Sequence, residues 1–306
     1  DVECCPFCED LFLDLDLVSN RIANAIDGIE CSRVQLGVHF AKDQVAAEEA
    51  LRASIAATGS RPLKATLSEA IQSVVANKVP GISWVKERPE LMILFDTLTL
   101  GVNVDIRALF LYGRYRKLER GIPQTRWPCR ACRGRDGGCE SCNFTGQQYP
   151  DSIQSLVCEP LVEHTEAKTD AFHGMGREDI DVRCIGNGRP FVAELKSPLR
   201  RTLDLDKLTK EINKAAKDKI EITGLRVSNR AEVARIKETK AEKSYTIRFT
   251  CEHGFDEDEV ITRIQSLSGQ VLEQQTPQRV AHRRADKIRK RKVISIDNIL
   301  VEENEI

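Results

Sequence analysis

A chain of 306 residues is long enough for two domains with separate cores. Its 46 Lys and Arg against 47 Asp and Glu leave a formal net charge of −1, which excludes a uniformly basic or acidic protein. No stretch reaches the ~18 apolar residues of a membrane span and no signal-peptide pattern opens the chain, so a cytoplasmic protein without a membrane partner is expected.

In chain order, "DQVAAEEALRASIAA" (43–57) has helical composition. "TLSEAIQSVVANK" (66–78) follows as a second helix, with Thr66 and Glu69 spaced as a capping box. "ELMILFDTLTLGVNVDI" (90–106) reads as two short strands about a turn. Together they make a small α/β or α+β unit ending near Tyr115, with Gly121, Pro123 and Pro128 bracketing a boundary. A cysteine-rich insert (129–146) and a helical stretch (152–168) come next. Residues 179–196 read as a hairpin: a strand from Asp179, a Gly186-Asn187-Gly188 turn and a returning strand. In "DLDKLTKEINKAAK" (204–217), Leu205, Leu208 and Ile212 share one helical face. "IEITGLRVS" and "KSYTIRFTCE" read as strands separated by the helix "RAEVARIKETK". Interleaved helices and strands with hairpins predict an α+β fold on an antiparallel or mixed sheet.

Eleven cysteines without a secretion signal point to metal ligation in a reducing compartment. Cys129, Cys132, Cys139 and Cys142 form two C-x-x-C pairs with six residues between them. Each pair turns two thiolates toward one ion, and four thiolates close a tetrahedral, structural zinc site. Cys5 and Cys8 form one more pair, expected to bind metal with a partner pair upstream of this chain. Cys31, Cys158, Cys184 and Cys251 read as buried small apolar residues.

Charge is segregated locally. Residues 1–100 hold 15 acidic and 9 basic side chains, whereas 114–135 and 279–292 each hold eight basic residues against one acid. Such clusters suggest a polyanion met by particular surfaces, the plain alternative being solvated helix faces.

The segment "HGMGREDIDVR" (173–183) carries two aspartates, Asp179 and Asp181, after a glycine-rich turn. On a strand starting at Asp179 they would share a face with Arg183. That pattern has three readings. It fits an amphipathic strand with a charged outer side. With Glu194 and Lys196 it fits the D…(D/E)-x-K signature of a Mg2+-dependent nuclease. It also fits a single catalytic aspartate in a G-R-x-D segment.

The third reading gains from the surroundings. "GREDIDVRCIGNGRPFVAEL", "YGRYRKLERGIPQTRWPC", "CNFTG" and "TPQRVAHRRAD" resemble stretches of the stand-alone tRNA pseudouridine synthase family of archaea and eukaryotes, which acts on TΨC-loop uridines 54 and 55. The resemblance runs from Leu111 to Val293 and more loosely over 1–110. It implies a THUMP-type RNA-binding domain over 1–120, with its N-terminal C-x-x-C, and a pseudouridine synthase catalytic domain over 121–306 with a zinc insert at 129–146. It implies Asp179 as the catalytic carboxylate and Arg177 and Tyr245 as contacts to the target nucleotide. Arg283 and Arg284 would grip the tRNA backbone, with Arg114, Arg116 and Lys117 extending that track. The TΨC arm of tRNA is the implied partner, and no catalytic cofactor or protein partner is implied. A G-T-Y-I-K-E-like segment of the family has no counterpart in "VISIDNILVEENEI", so an incomplete C-terminus is expected. A non-catalytic zinc-dependent RNA-binding module is the remaining alternative, because "CRACRGRDGGC" resembles the zinc region of DnaJ.

Overall fold

The computed structural model describes residues 4–57, 59–135, 137–250, 254–276 and 285–301. They fall into two compact units, Asp1–Thr239 and Lys240–Ile306.

The first unit opens with α1 (Leu15–Ile26), whose Val18, Ile22 and Ile26 recur at helical spacing and are buried. Strand β1 (Arg33–His39) and helices α2 (Lys42–Ser54) and α3 (Leu63–Lys78) follow. Helix α3 buries Leu67, Ile71 and Val75, whereas α2 buries nothing. Strands β2 (Ser83–Trp84), β3 (Leu91–Asp96) and β4 (Val102–Ile106) complete a sheet of order β2-β1-β3-β4. The first three strands run parallel, and β3 and β4 form the antiparallel pair read from 90–106. The capping box at Thr66 is not formed. Pro62, with φ fixed at −61°, starts the helix three residues earlier, and Glu69 pairs with Arg61.

The second sheet draws β5 (Leu109–Lys117), β6 (Thr169–Gly174), β7 (Cys184–Lys196) and β8 (Ile220–Ser228) into the fully antiparallel order β6-β7-β5-β8. One face packs on α4 (Ile153–Thr165) and α5 (Leu205–Ala215), burying Leu111, Phe191, Leu161 and Ile212 completely. The other carries α6 (Arg230–Glu238), with Ile236 and Val192 at its centre. Phe191, Ala193 and Leu195 alternate with Val192, so period-two patterning sorts β7 between the two cores.

The hairpin expected at 179–196 is absent: Cys184 to Lys196 is one strand. Tyr115 pairs Arg189 and Lys117 pairs Cys184, so two steps along β5 face five along β7 and residues 185–188 bulge out. Gly186 and Gly188 have φ of 64° and 68°, and a Cβ on Gly188 would sit 2.8 Å from the Tyr115 carbonyl oxygen. Arg114 locks the bulge by donating to the carbonyls of Asn187 (2.7 Å) and Gly188 (2.8 Å). The glycines thus supply left-handed backbone as the sequence suggested, but β5 takes the pairing that a returning strand would have had.

The second unit holds α7 (Glu257–Gln265) and an antiparallel pair, β9 (Val271–Gln274) and β10 (Arg289–Lys292). The strand expected at "KSYTIRFTCE" does not form over its described residues. Tyr245, Ile247 and Phe249 alternate correctly, yet they are exposed and, among the described residues, no neighbouring strand supplies a ladder. The described residues form a mixed α and β architecture with one mixed and two antiparallel sheets, as the element pattern predicted.

Candidate active site and metal centre

Strand β6 ends at Gly174 and β7 begins at Cys184, so Asp179 lies on the loop between the edge strand β6 and its central neighbour β7. The strand face expected to hold Asp179, Asp181 and Arg183 does not exist. Lys117, fully buried, supports the loop from beneath. Its Nζ donates to the carbonyl oxygens of Asp179, Ile180 and Ile122, each at 3.0 Å. The Ile180 N–H donates to Asp179 Oδ1 at 3.0 Å, and the Gly121 N–H to the Ile180 carbonyl at 2.8 Å. Burial lowers the Lys117 pKa, while Glu178, Cys184 and Asp179 pull it back up.

Beside Asp179, Glu178 turns into the protein. Its carboxylate accepts from the Tyr115 hydroxyl at 2.8 Å and lies 2.8 Å from Arg189 Nε. That Nε has no aligned hydrogen-bond acceptor, so the contact is an ion pair rather than a directed bond. Gln124 Nε2 donates to the Tyr115 hydroxyl at 2.9 Å and to the Gly176 carbonyl at 3.0 Å. Burial, then Glu178, drives the Tyr115 phenol well above its usual pKa. For Arg189, burial is the largest influence and opposes the charge, but Glu178, Tyr115 and Cys184 together outweigh it and raise the pKa. Arg177 stays exposed and donates to Thr125 Oγ1 at 3.2 Å.

Tyr115, Gln124, Glu178 and Arg189 were not singled out as site residues by sequence, and Lys117 was read only as part of a surface basic track. The signal for two of them was present. Strand β5 buries every second residue, and Tyr115 and Lys117 fall in register with Leu109 and Leu111. Lys117 therefore drops out of the basic track expected from Arg114, Arg116 and Lys117. Lys117 is internal, Arg114 is engaged by the bulge and Arg116 pairs with Glu221.

Glu194 sits within β7, and its carboxylate meets His173 Nε2 at 2.8 Å. Among the described residues, the cluster of three or more Cys, His, Asp or Glu able to hold a metal is the cysteine group 129, 132, 139 and 142. Asp179, Asp181 and Glu194 form no such group, so the Mg2+ nuclease reading loses its geometry.

The four cysteine sulfurs lie within 4.8 Å of one another. Cys129–Cys139 and Cys132–Cys142 are 3.9 Å apart and Cys139–Cys142 3.8 Å. A tetrahedron with Zn–S bonds of ~2.3 Å has edges of about 3.8 Å, so the donor set fits zinc. Backbone N–H groups point at the sulfurs: Cys139 N and Gly146 N lie 3.2 and 3.3 Å from Cys142 Sγ. The Cys139 backbone first, and the Gly146 N–H against burial, hold the Cys142 thiol to about 6. Cys129 N donates to the Gly146 carbonyl at 2.8 Å, and Pro128 bridges to Gln147, closing the neck of the insert.

Cys5 lies half-buried and Cys8 buried in an N-terminal turn. Tyr245 lies exposed in the second unit. Arg283 and Arg284 lie outside the described residues. Among the described residues, no helix is long and apolar enough to cross a membrane.

A family model described as "Pus10, C-terminal" matches residues 110–306. The chain belongs to the Pus10 family. Its relatives include the tRNA pseudouridine synthase Pus10 of Methanothrix thermoacetophila, 39% identical over 286 residues that cover 92% of this chain and 62% of that protein. The Pus10 of Methanothermobacter marburgensis is 40% identical, over 92% of this chain and 70% of its own length. That of Methanocaldococcus jannaschii is 43% identical, over 72% of this chain and 47% of its own length. The chain thus spans about six tenths of the length of the first relative. The Pus10 match begins within β5, so it takes in Tyr115, Lys117, the cysteine insert and the Asp179 loop.

Proposed function

We propose that the protein isomerises uridine 54, uridine 55 or both in the TΨC loop of tRNA, with Asp179 as the catalytic carboxylate. The observation that carries this reading is the mounting of Asp179. Its nine-residue loop, 175–183, is exposed over Asp181–Arg183, while a buried ammonium and a carboxylate–guanidinium pair anchor it below. Catalytic groups need this combination, because a displaced carboxylate loses the orientation that makes attack productive. Membership in the Pus10 family supports the same assignment.

The target uridine leaves its stack, at a cost of a few kcal/mol, and enters beside Asp179. The carboxylate acts as nucleophile at C1′ or C6, or as base during glycosidic cleavage. In each route the N1–C1′ bond breaks, the uracil turns and C5 bonds to C1′. The C5 proton then leaves and N1 takes one up. The reaction rearranges the substrate's own bonds, so no catalytic cofactor enters it.

Arg177 contacts the extruded nucleotide, and Tyr245 stacks on its uracil, an interaction of ~1–3 kcal/mol. Arg283 and Arg284 bind the tRNA backbone. Residues 1–120 serve as a THUMP-type RNA-binding domain ahead of the catalytic domain, 121–306. The 129/132/139/142 cysteines hold a structural zinc, and Cys5 and Cys8 contribute to a second metal site. The protein works in the cytoplasm.

The test is to map pseudouridine on an unmodified tRNA transcript after incubation with the chain and with Asp179→Asn, in EDTA too dilute to strip the zinc. Product in the TΨC loop that Asp179→Asn abolishes is expected. Product retained by Asp179→Asn removes the carboxylate from the reaction, and scission that requires added Mg2+ restores the nuclease.

A further inference from the structure

The cysteine insert has an outer surface that metal binding does not explain. Its two turns repeat one backbone path. After Cys132 come Arg133 and Gly134 with φ of 57° and 74°, and after Cys142 come Asn143 and Phe144 with φ of 51° and 59°. Left-handed backbone suits the glycine of the first turn and is unfavourable for the phenylalanine in the same place of the second. Folding gains nothing from the ring, which is 67% exposed. The backbone of Phe144 is pressed against Gly138, where a Cβ would stand 2.6 Å from the Phe144 carbonyl carbon. An unfavourable conformation that presents an aromatic ring to solvent indicates a ligand rather than a packing role.

The charges around the ring specify which ligand. Arg130, Arg133 and Arg135 are exposed, and among the described residues none of them has a carboxylate partner. This contrasts with Arg126 at the neck, which is tied to Asp170 at 2.8 Å. Exposed guanidinium groups on the same short insert as an exposed aromatic ring match a nucleic-acid strand, whose bases stack and whose phosphates take bidentate Arg contacts. Compact zinc-bound loops are among the modules that recognise single-stranded RNA in this way.

The insert is also tied to the Asp179 loop. Thr125 and Gln124 receive Arg177, at 3.2 and 3.5 Å, and Gln124 holds the Gly176 carbonyl. Cys129 lies four positions after Thr125 in the chain, a span of at most about 14 Å. RNA lying over the Asp179 loop is therefore within reach of the insert.

We infer that the cysteine insert is a second RNA-contact surface, in which Phe144 stacks on an unpaired base of the bound tRNA and Arg130, Arg133 and Arg135 hold its phosphates. The inference rests on the reading of tRNA as substrate. It adds an anchor outside the residues assigned to the target uridine, so the insert orients the RNA as well as stiffening the fold.

The test is equilibrium binding of an unmodified tRNA transcript at several salt concentrations. The unaltered chain, Phe144→Ala, Phe144→Trp and the triple variant Arg130→Gln/Arg133→Gln/Arg135→Gln are compared, with zinc content and far-UV circular dichroism confirming that each is folded. Loss of one base stack predicts about 5- to 150-fold weaker binding for Phe144→Ala at an unchanged salt slope. Phe144→Trp should keep the affinity of the unaltered chain. The triple variant should flatten the dependence of log affinity on log salt by about 2, from three lost phosphate contacts. A zinc-loaded Phe144→Ala that binds within twofold of the unaltered chain overturns the inference and assigns the ring to a protein contact. An unaltered chain that does not bind tRNA overturns the substrate reading instead.

Discussion

Replacing Lys117 by methionine keeps most of the side-chain volume and removes the ammonium under the Asp179 loop. Three carbonyl oxygens at 3.0 Å then lose their donor. Hydrogen bonds to a charged group contribute ~1.5–3 kcal/mol each, so three amount to roughly 5–9 kcal/mol before any offset. Two offsets apply. Burying the ammonium is itself costly, as its lowered pKa registers, and Asp179 and Ile180 are only half-buried, so water reaches part of what the lysine leaves. The net loss expected is about 3–5 kcal/mol, the usual result of removing one partner from a buried polar cluster. Urea unfolding followed by circular dichroism measures it. Amide exchange supplies a local readout, because the Ile180 and Gly121 N–H groups are both bonded within the supported loop. Both should exchange faster in Lys117→Met. A loss below about 1 kcal/mol with unchanged exchange would show that the lysine does not support the loop and that Asp179 is not mounted on a buried ammonium.

Tyr115→Phe deprives the buried Glu178 of a hydroxyl donor and should lower stability by ~1.5–3 kcal/mol in the same urea assay. Cys142→Ser should abolish the bound zinc equivalent, measured by elemental analysis, and open 129–146 to limited proteolysis, since binding energy and local folding are one quantity in such sites. Glu232 is held at about 2, below its usual 4.5, by Arg226 first and then Ser228 and Arg235, against burial. A depressed carboxyl stabilises above its unfolded value and loses that contribution as pH falls from 4.5 through about 2. Glu232→Gln should therefore flatten the stability profile in that window, as read by urea melts at each pH.

Much of the scaffold was legible because periodicity reports which face an element buries. Leu208 and Ile212, read with Leu205 as one helical face, mark the inner side of α5, whereas α1 carries the same spacing at Val18, Ile22 and Ile26 and was not read as a helix. The cysteine spacing was enough to predict which four thiols come together, because two short turns carry all of them and no distant residue is needed. The G-R-x-D segment and its neighbouring runs likewise pointed to the family.

Other features depended on partners far away in the chain. Gly186 and Gly188 carry the same left-handed signal in a hairpin turn and in a bulge, and only the pairing of β7 with β5 decides between them. Lys117 reads as one more surface base in a basic cluster until the carbonyls of Asp179 and Ile180, 62 and 63 residues onward, close around it. Glu178 and Asp179 are adjacent carboxylates with the same local signal. One turns inward to Tyr115 and Arg189, and the other stays at the loop surface. A pattern along the chain records a residue's own polarity. The groups that satisfy that polarity are brought together only when the sheet closes.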